Sequence, residues 1–444
     1  MLKLNAETLK ETLTHCSDFQ TGAVLREVGE WLTFSGPANV DELCEIQTTN
    51  GDWIPGKVVS SSDDESRVML FRNASGIRPG NIALLSRDAL SVPAGDETLG
   101  RVFNALGEPI DGLGPTGGRR IYVDSRNAPC PMSRNRIRSP LSTGQRVIDG
   151  FLTIGKGQRM GLFAGSGVGK STLMGEIAKR IQSDLNVIAL VGERGREVIP
   201  FVEDALGQSG LERSVVVVAT AEEPALARVQ AVDTALRIAE DFRSQGRDVM
   251  FFLDSITRLA HAQREIGLGR GEPPGSRGYP ASVFRVLAQT LERMGNETTG
   301  SITGLITVLV DGDDLMEPIA DAARSVLDGH IVLSRKLAEA NHFPAVDVLA
   351  SVSRLFREVT SPAQQAAIGT LRQQMAMYSQ MEELLRMGLY QRGTSPETDE
   401  AVDAMPRIRQ FCEQAVGEFS SYEETVEQLM KLSRQTTQTV GMTS

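Results

Sequence analysis

Residues Met160-Gly161-Leu162-Phe163-Ala164-Gly165-Ser166-Gly167-Val168-Gly169-Lys170-Ser171-Thr172-Leu173 pass from an apolar run, through three glycines in five positions, into Lys-Ser-Thr. A helical pattern follows through Met174, Ile177, Ala178 and Ile181. The order reads as buried strand, phosphate loop, helix. Gly165, Gly167 and Gly169 let the backbone turn tightly around Ser166 and Val168 and aim its N–H groups at phosphate oxygens. The helix N-terminus, with Thr172 in its first turn, favours the same negative charge; Lys170 reaches the β- and γ-phosphates, and the Ser171 hydroxyl suits Mg²⁺. A nucleoside triphosphate with its metal is the expected ligand. The strict motif begins with glycine, so Ala164 in that place demands an ordinary backbone conformation at the mouth of the loop.

Beyond this helix the chain alternates strand and helix patterns. Asn186-Val187-Ile188-Ala189-Leu190-Val191, Ser214–Ala219, Val249–Leu253 and Leu305–Val310 are short, continuous and rich in β-branched or aromatic residues. Such runs suit a parallel sheet covered on both faces, with ligand groups at the strands' carboxyl ends. Two acids fall at such ends. Glu193, followed by Arg194, comes just after Val191-Gly192, and Asp254 ends the Val249–Leu253 run. An apolar strand closed by an acid is the usual support of Mg²⁺ in phosphate-loop enzymes. Taken singly, Glu193 reads as a solvated carboxylate and Asp254 as a helix cap; beside the loop, the pair reads as a nucleotide hydrolase.

A chain of 444 residues has room for two or three domains with a large core. The formal net charge of −11 opposes a nucleic-acid binder, which needs a basic face. Cys16, Cys44, Cys130 and Cys412 show no paired spacing, so reduced thiols are expected rather than a disulfide framework or a zinc site. No stretch approaches the roughly 20 apolar residues of a membrane span, and no secretory leader is recognisable, so a cytoplasmic location is expected. Leu2, Leu4, Leu9 and Leu13 form a weak stripe on a short N-terminal helix suited to packing or partner docking.

From about Gly22 to Val92, short runs such as Gly56-Lys57-Val58-Val59-Ser60 and Arg67-Val68-Met69-Leu70-Phe71 are bounded by turn residues and predict a small β-barrel. Pro93-Ala94-Gly95-Asp96 reads as a linker. From about Ser361 the pattern turns helical, with Leu371, Met375, Tyr378, Met381, Leu384, Leu385 and Met387 at spacings of three and four. The stripe reads first as a core face, although methionines also suit adaptable contacts. Gly388, Gly393 and Pro396 break it before helices around Ala401–Ala415 and Tyr422–Leu432.

Gly165–Thr172, Gly192-Glu193-Arg194, Asp254-Ser255-Ile256-Thr257-Arg258 and Ser351-Val352-Ser353-Arg354 together resemble the catalytic subunits related to the rotary ATP synthase β chain. Three longer stretches, Glu272–Phe284, Asp311–Asp321 and Leu327–Arg335, resemble the ATPases of bacterial type III protein export, flagellar or injectisome. The resemblance is strong from about Gly100 to Tyr390. It implies an α/β chain in three parts: a small N-terminal β-barrel domain at 1–95, a RecA-like phosphate-loop ATPase domain with a mainly parallel sheet at 96–358, and a C-terminal helical domain at 359–444.

The resemblance also implies roles. Lys170 contacts the phosphates, Ser171 and Asp254 hold Mg²⁺, Glu193 polarises the attacking water, and Arg194 lies near the γ-phosphate. Arg354 corresponds to an arginine finger that reaches the neighbouring subunit's site, and Phe343 to an aromatic against adenine. A finger given away makes the interface heterologous, so the chain must close into a ring; the family implies a homohexamer hydrolysing Mg-ATP. Implied partners are a stator-type regulator at the N-terminus, a central stalk protein, the export gate and chaperone–substrate complexes, with any membrane association peripheral, at the inner face of the export apparatus. Ala281 and Gly304-Leu305-Ile306 depart from the family pattern away from the triphosphate.

Other readings are weaker. A ring RNA translocase shares the chemistry but wants basic and aromatic strand contacts, and only 5% of this acidic chain is aromatic. A ring subunit that binds nucleotide without turnover is opposed by Glu193 and Arg354. A rotary ion-pump catalytic subunit is opposed by the Glu272–Phe284 stretch and the short chain. Flagellar and injectisome service stay open.

Overall fold

Six antiparallel strands near the N-terminus close on themselves in the order Phe19–Val28, Leu32–Ser35, Glu65–Leu70, Trp53–Ser61, Leu43–Gln47 and Ile82–Ser86. Period-two alternation drives the closure: Cys44 and Ile46 point inward with Leu25, Leu32, Phe34, Val58, Val68 and Leu85, and their neighbours face out. Closure leaves no free sheet edge, and the expected small barrel is present. The computed structural model describes residues 19–28, 31–86, 89–123, 128–310 and 316–438. The leucine stripe at 2–13, Cys16 and Asp311–Leu315 lie outside them.

The stretch read as a linker is ordered packing. Ser91–Pro93 pairs antiparallel with Arg120–Tyr122, and Val92 and Ala94 are buried in the main core. Burying two small apolar side chains there fixes a segment whose Pro-Gly composition alone suggests a hinge.

The central sheet runs in the order Val346–Ser353, Gly329–Leu333, Arg159–Ala164, Ser301–Leu309, Asp248–Asp254, Leu185–Val191, Ser214–Ala219 and Val102–Phe103. Every pairing along it is parallel except the edge strand Val346–Ser353; Gly295–Asn296 adds a short antiparallel partner to Ser301–Leu309. All of Leu185–Val191 and Ser214–Ala219 is buried, as strands covered on both faces require. Val187, Ala189 and Val191 face one layer, with helices Ala225–Ser244, Ile256–Gly269 and Ala281–Glu292; Ile188 and Leu190 face the other, with helix Lys170–Arg180.

That second layer also takes in the C-terminal helices. Ile368 and Leu371 of Pro362–Arg386, Ala404, Ile408 and Phe411 of Pro396–Cys412, and Leu429 of Tyr422–Gln438 share one core with Val147, Ile148 and Phe151. The core-face reading of the 371–387 stripe holds only for its start. Leu371 is buried, Met375, Tyr378 and Met381 are half-buried, and Leu384 and Met387 are 41% and 68% exposed. The helix runs on past this core, and polar contacts hold its later turns: Arg409 of Pro396–Cys412 lies over the Tyr378 ring, and Lys336 Nζ donates to Glu382 Oε2 at 2.6 Å. Among the described residues no helix is long and apolar enough to cross a membrane.

Candidate active site

The strand Arg159–Ala164 delivers the phosphate loop to the carboxyl end of the sheet. Ala164 is its last residue, paired with Leu309 on one side and Leu333 on the other, so an ordinary extended conformation is what this position needs. Of the three loop glycines, Gly167 (φ 79°) and Gly169 (φ 88°) occupy the left-handed region. Helix Lys170–Arg180 starts immediately after, and Ser171 and Thr172 are exposed at its first turn.

Sheet register brings the two acids to the same end. Leu190 pairs with Asp254, and Thr307 on the adjoining strand donates its hydroxyl to Asp254 Oδ1 at 2.6 Å. Gly192 (φ 71°) turns the chain after Val191 and presents Glu193. Lys170 Nζ then donates to Asp254 Oδ1 at 2.5 Å and to Glu193 Oε1 at 3.5 Å. A small cavity of about 20 Å³ is lined by Ser171, Glu193 and Asp254 among others. Lys170, Ser171, Glu193 and Asp254 are thus one cluster, as the sequence predicts.

The electrostatics follow from the packing. Burial opposes the charge on Lys170, but Asp254 and Glu193 more than offset it and hold its pKa above the ordinary value. Burial and the Asp254 charge push Glu193 above the usual carboxylate range, with Lys170 and Arg258 partly opposing them. A carboxylate raised in this way is a better proton acceptor at neutral pH.

Mg²⁺ prefers hard oxygen ligands and keeps several waters and substrate oxygens in its shell. Among the described residues no group of three His, Cys, Asp or Glu side chains could cage a metal. One hydroxyl, Ser171, and one carboxylate, Asp254, beside a phosphate loop fit an ion that arrives with its nucleotide.

Two predicted residues lie elsewhere. Arg194 is exposed and pairs with Glu197 at 3.6 Å. Arg354 sits at the opposite end of the sheet: Ser353 pairs with Gly329, and Asp328 donates its N–H to the Arg159 carbonyl at 2.9 Å. Along Arg159–Ala164 that is about 16 Å from the loop, at ~3.3 Å per residue. Its Nη2 donates to the Arg324 carbonyl at 3.0 Å. Within one chain Arg354 belongs to a different surface from Lys170.

Phe343 stands against the loop, its ring atoms 3.4 and 3.5 Å from where a Cβ on Gly169 would lie. With Val168, Thr172, Leu173 and Pro344 it lines a cavity of about 240 Å³. The far wall, missed in the sequence reading, is Gln414, Ala415 and Val416 from the C-terminal unit. Gln414 N–H donates to the Phe343 carbonyl at 2.9 Å, Gly417 N–H to Glu176 Oε2 at 2.8 Å, and Arg180 Nη2 to the Gly417 carbonyl at 2.7 Å. Nothing local in 413–420 signals a nucleotide wall.

Arg258 is a second residue the reading of roles passed over. It lies on the first turn after the Ser255 cap, packed so closely on Gly192 that a Cβ there would come within 2.7 Å of its own Cβ. Its Nε is buried without a hydrogen-bond partner. Its place in the first helical turn after the strand that ends in Asp254 is the signal that could have marked it. Thr307, the hydroxyl inside the apolar Leu305–Val310 run, carried a similar one.

The family model described as ATP synthase alpha/beta family, nucleotide-binding domain, matches residues 144–353, and that of the T3SS EscN ATPase C-terminal domain matches residues 360–431. A flagellum-specific ATP synthase of Bacillus subtilis (strain 168) is 47% identical over 416 residues, covering 93% of this chain and 95% of the relative. A type 3 secretion system ATPase of Xanthomonas euvesicatoria is 44% identical over 415 residues, covering 93% and 94%. The assembled ATPase EscN of the enteropathogenic E. coli type III secretion system superposes with a TM-score of 0.87 at 39% identity, over 93% of this chain and all of that one. EscN in complex with its central stalk EscO gives 0.84 at 40% identity, over 93% and 100%. Both family models and relatives of this similarity agree on one assignment: the chain is an ATP hydrolase and belongs to the flagellar and type III secretion ATPases of the ATP synthase alpha/beta family.

Proposed function

We propose that this chain is the Mg-ATPase of a type III protein export apparatus, flagellar or injectisome, working at the cytoplasmic face as a homohexamer. We divide it into a barrel domain (1–95), an ATPase domain (96–358) and a helical domain (359–444). The observation that carries the ring is the split of the chemistry. Lys170, Glu193 and Asp254 meet at one end of the sheet and Arg354 at the other, so a site needs Arg354 of the partner subunit.

Phosphoryl transfer to water is catalysed by positioning and by stabilising charge on the γ-phosphate. Backbone N–H groups of 165–172 and Lys170 hold the phosphates. Glu193 orients the attacking water and accepts its proton as the bond from the γ-phosphorus to the bridging oxygen breaks. Arg258, which acts electrostatically on Glu193 and whose Nε is buried and unpaired, is a further donor, and Arg194, exposed and paired with Glu197, would have to turn from that partner to approach the γ-phosphate. Ser171 and Asp254 would hold Mg²⁺, which supplies neutralising charge at the phosphate oxygens. Phe343 and the 414–416 wall receive adenine.

The barrel and the N-terminal segment would meet a stator-type regulator. The exposed Leu384, Met387 and Leu389 suit adaptable contacts with a central stalk, the export gate or chaperone–substrate complexes, and no nucleic acid is required. Steady-state ATP hydrolysis with Mg²⁺, measured across a protein concentration series, tests the reading. Activity per chain should rise with concentration and vanish in Glu193→Gln while ATP binding stays. Tight binding without turnover at any concentration would remove the self-sufficient ring.

A further inference from the structure

The root of Arg354 hangs from a single turn, and that turn is gripped by the start of the phosphate-loop strand. The Asp328 carbonyl accepts from the Arg354 backbone N–H at 3.0 Å and from Gln158 Nε2 at 3.0 Å. The Asp328 carboxylate accepts from Arg159 three times, from its backbone N–H, its Nε and its Nη2, each at 3.0 Å. Gln158 is fully buried and also donates to Ser353 Oγ at 3.2 Å. Glu292 takes the other branch of Arg159 at 2.6 Å.

Burial opposes the charge of Arg159, but Asp328 and Glu292 hold its pKa above the ordinary value, so the guanidinium stays charged. A forked guanidinium on a carboxylate sets direction as well as distance. By contrast the free end of Arg354 is exposed and rests on one neutral carbonyl, that of Arg324. A finger offered across an interface can stabilise charge only if its root does not yield. Here the root is anchored by Asp328, and the anchor by the strand that ends, five residues later, in this subunit's own phosphate loop.

We propose that Asp328 is the positioning residue of the finger, and that the Arg159–Asp328 clamp ties the finger serving a neighbour to the strand carrying the donor's own phosphate loop. The proposal rests on reading Arg354 as a finger acting in trans. Asp328 thus joins the two groups through different atoms: its backbone carbonyl holds the Arg354 root and its carboxylate holds Arg159.

Mixed rings separate the possibilities, because each variant falls into one of two groups. Asp328→Asn should lower kcat by roughly ten- to a hundredfold, the scale of a ~1 Å displacement of a catalytic group, with the ATP Kd changed by less than about twofold. Mixed with Lys170→Ala chains, which carry an intact finger, Asp328→Asn should regain activity; mixed with Arg354→Ala chains it should not. Recovery with Arg354→Ala, with both partners, or with neither while rings assemble normally, overturns the proposal. If Asp328→Asn forms no rings, Arg159→Lys, which keeps the charge and loses the fork, is put through the same two mixtures with the same expectation. A control mixture of Lys170→Ala and Arg354→Ala that stays inactive removes the trans finger itself, and the proposal with it.

Discussion

At the residue scale, Glu193 is the proposed base, and its environment fixes how activity should then respond to pH. Its pKa is raised by burial and by Asp254, and only the ionised form can take a proton from water. The acid limb of kcat should therefore lie above the ordinary glutamate value of about 4.3. Arg258 opposes the rise, so Arg258→Ala should move the limb to still higher pH; a limb that stays in place or moves down contradicts this assignment. Phe343 offers a cleaner binding test. Its ring is 40% exposed beside the loop, and stacking on a base contributes about 1–3 kcal/mol by alanine substitution. Phe343→Ala should weaken ATP binding about five- to a hundredfold while leaving triphosphate binding by other bases nearly unchanged relative to one another, measured by calorimetry.

At the scale of elements, the turn at 142–144 shows how a buried acid shapes stability. Asp149 is fully buried and accepts from the hydroxyls of Ser142 and Thr143 and the backbone N–H groups of Thr143 and Gly144. Burial nevertheless pushes its pKa up to about 6, against those hydrogen bonds. A folded-state pKa above the unfolded one means that the folded chain holds the proton more tightly. This contribution is fully present below about pH 4 and is lost as pH rises through about 6, on the order of 3 kcal/mol. The stability of the wild type relative to Asp149→Asn should fall by that order between pH 4 and pH 7 in denaturant titrations; a constant difference contradicts it.

Elements also show what was legible before the structure. The phosphate loop, the buried parallel strands and the two acids at their ends were readable because apolar runs, glycines and an acid in sequence report local geometry. The Gln414–Val416 wall and the Asp328–Arg159 clamp were not, because each joins segments far apart in the chain: 414 to Phe343 and 144, 328 to 159. The exposed end of Pro362–Arg386 departs from the expected core face for a related reason. Helical periodicity reports an apolar face, not the length of the surface available to cover it.

For the whole molecule, the sheet is a beam with a different function at each end. On the proposed reading, nucleotide groups gather where Arg159–Ala164 ends and the finger sits where that strand begins, so identical copies arranged head to tail would complete one another's sites. The C-terminal unit lines the Phe343 cavity through 414–416 and also carries the exposed end of Pro362–Arg386, which would give nucleotide occupancy a path to the proposed export partners. The most direct measurement of the central claim is ATP hydrolysis in mixtures of Lys170→Ala and Arg354→Ala chains, each inactive alone. The account predicts that activity returns in the mixture and peaks near equal proportions, because a Lys170→Ala chain lends its finger to the intact phosphate site of its neighbour. Mixed rings that assemble and remain inactive at every proportion would contradict it.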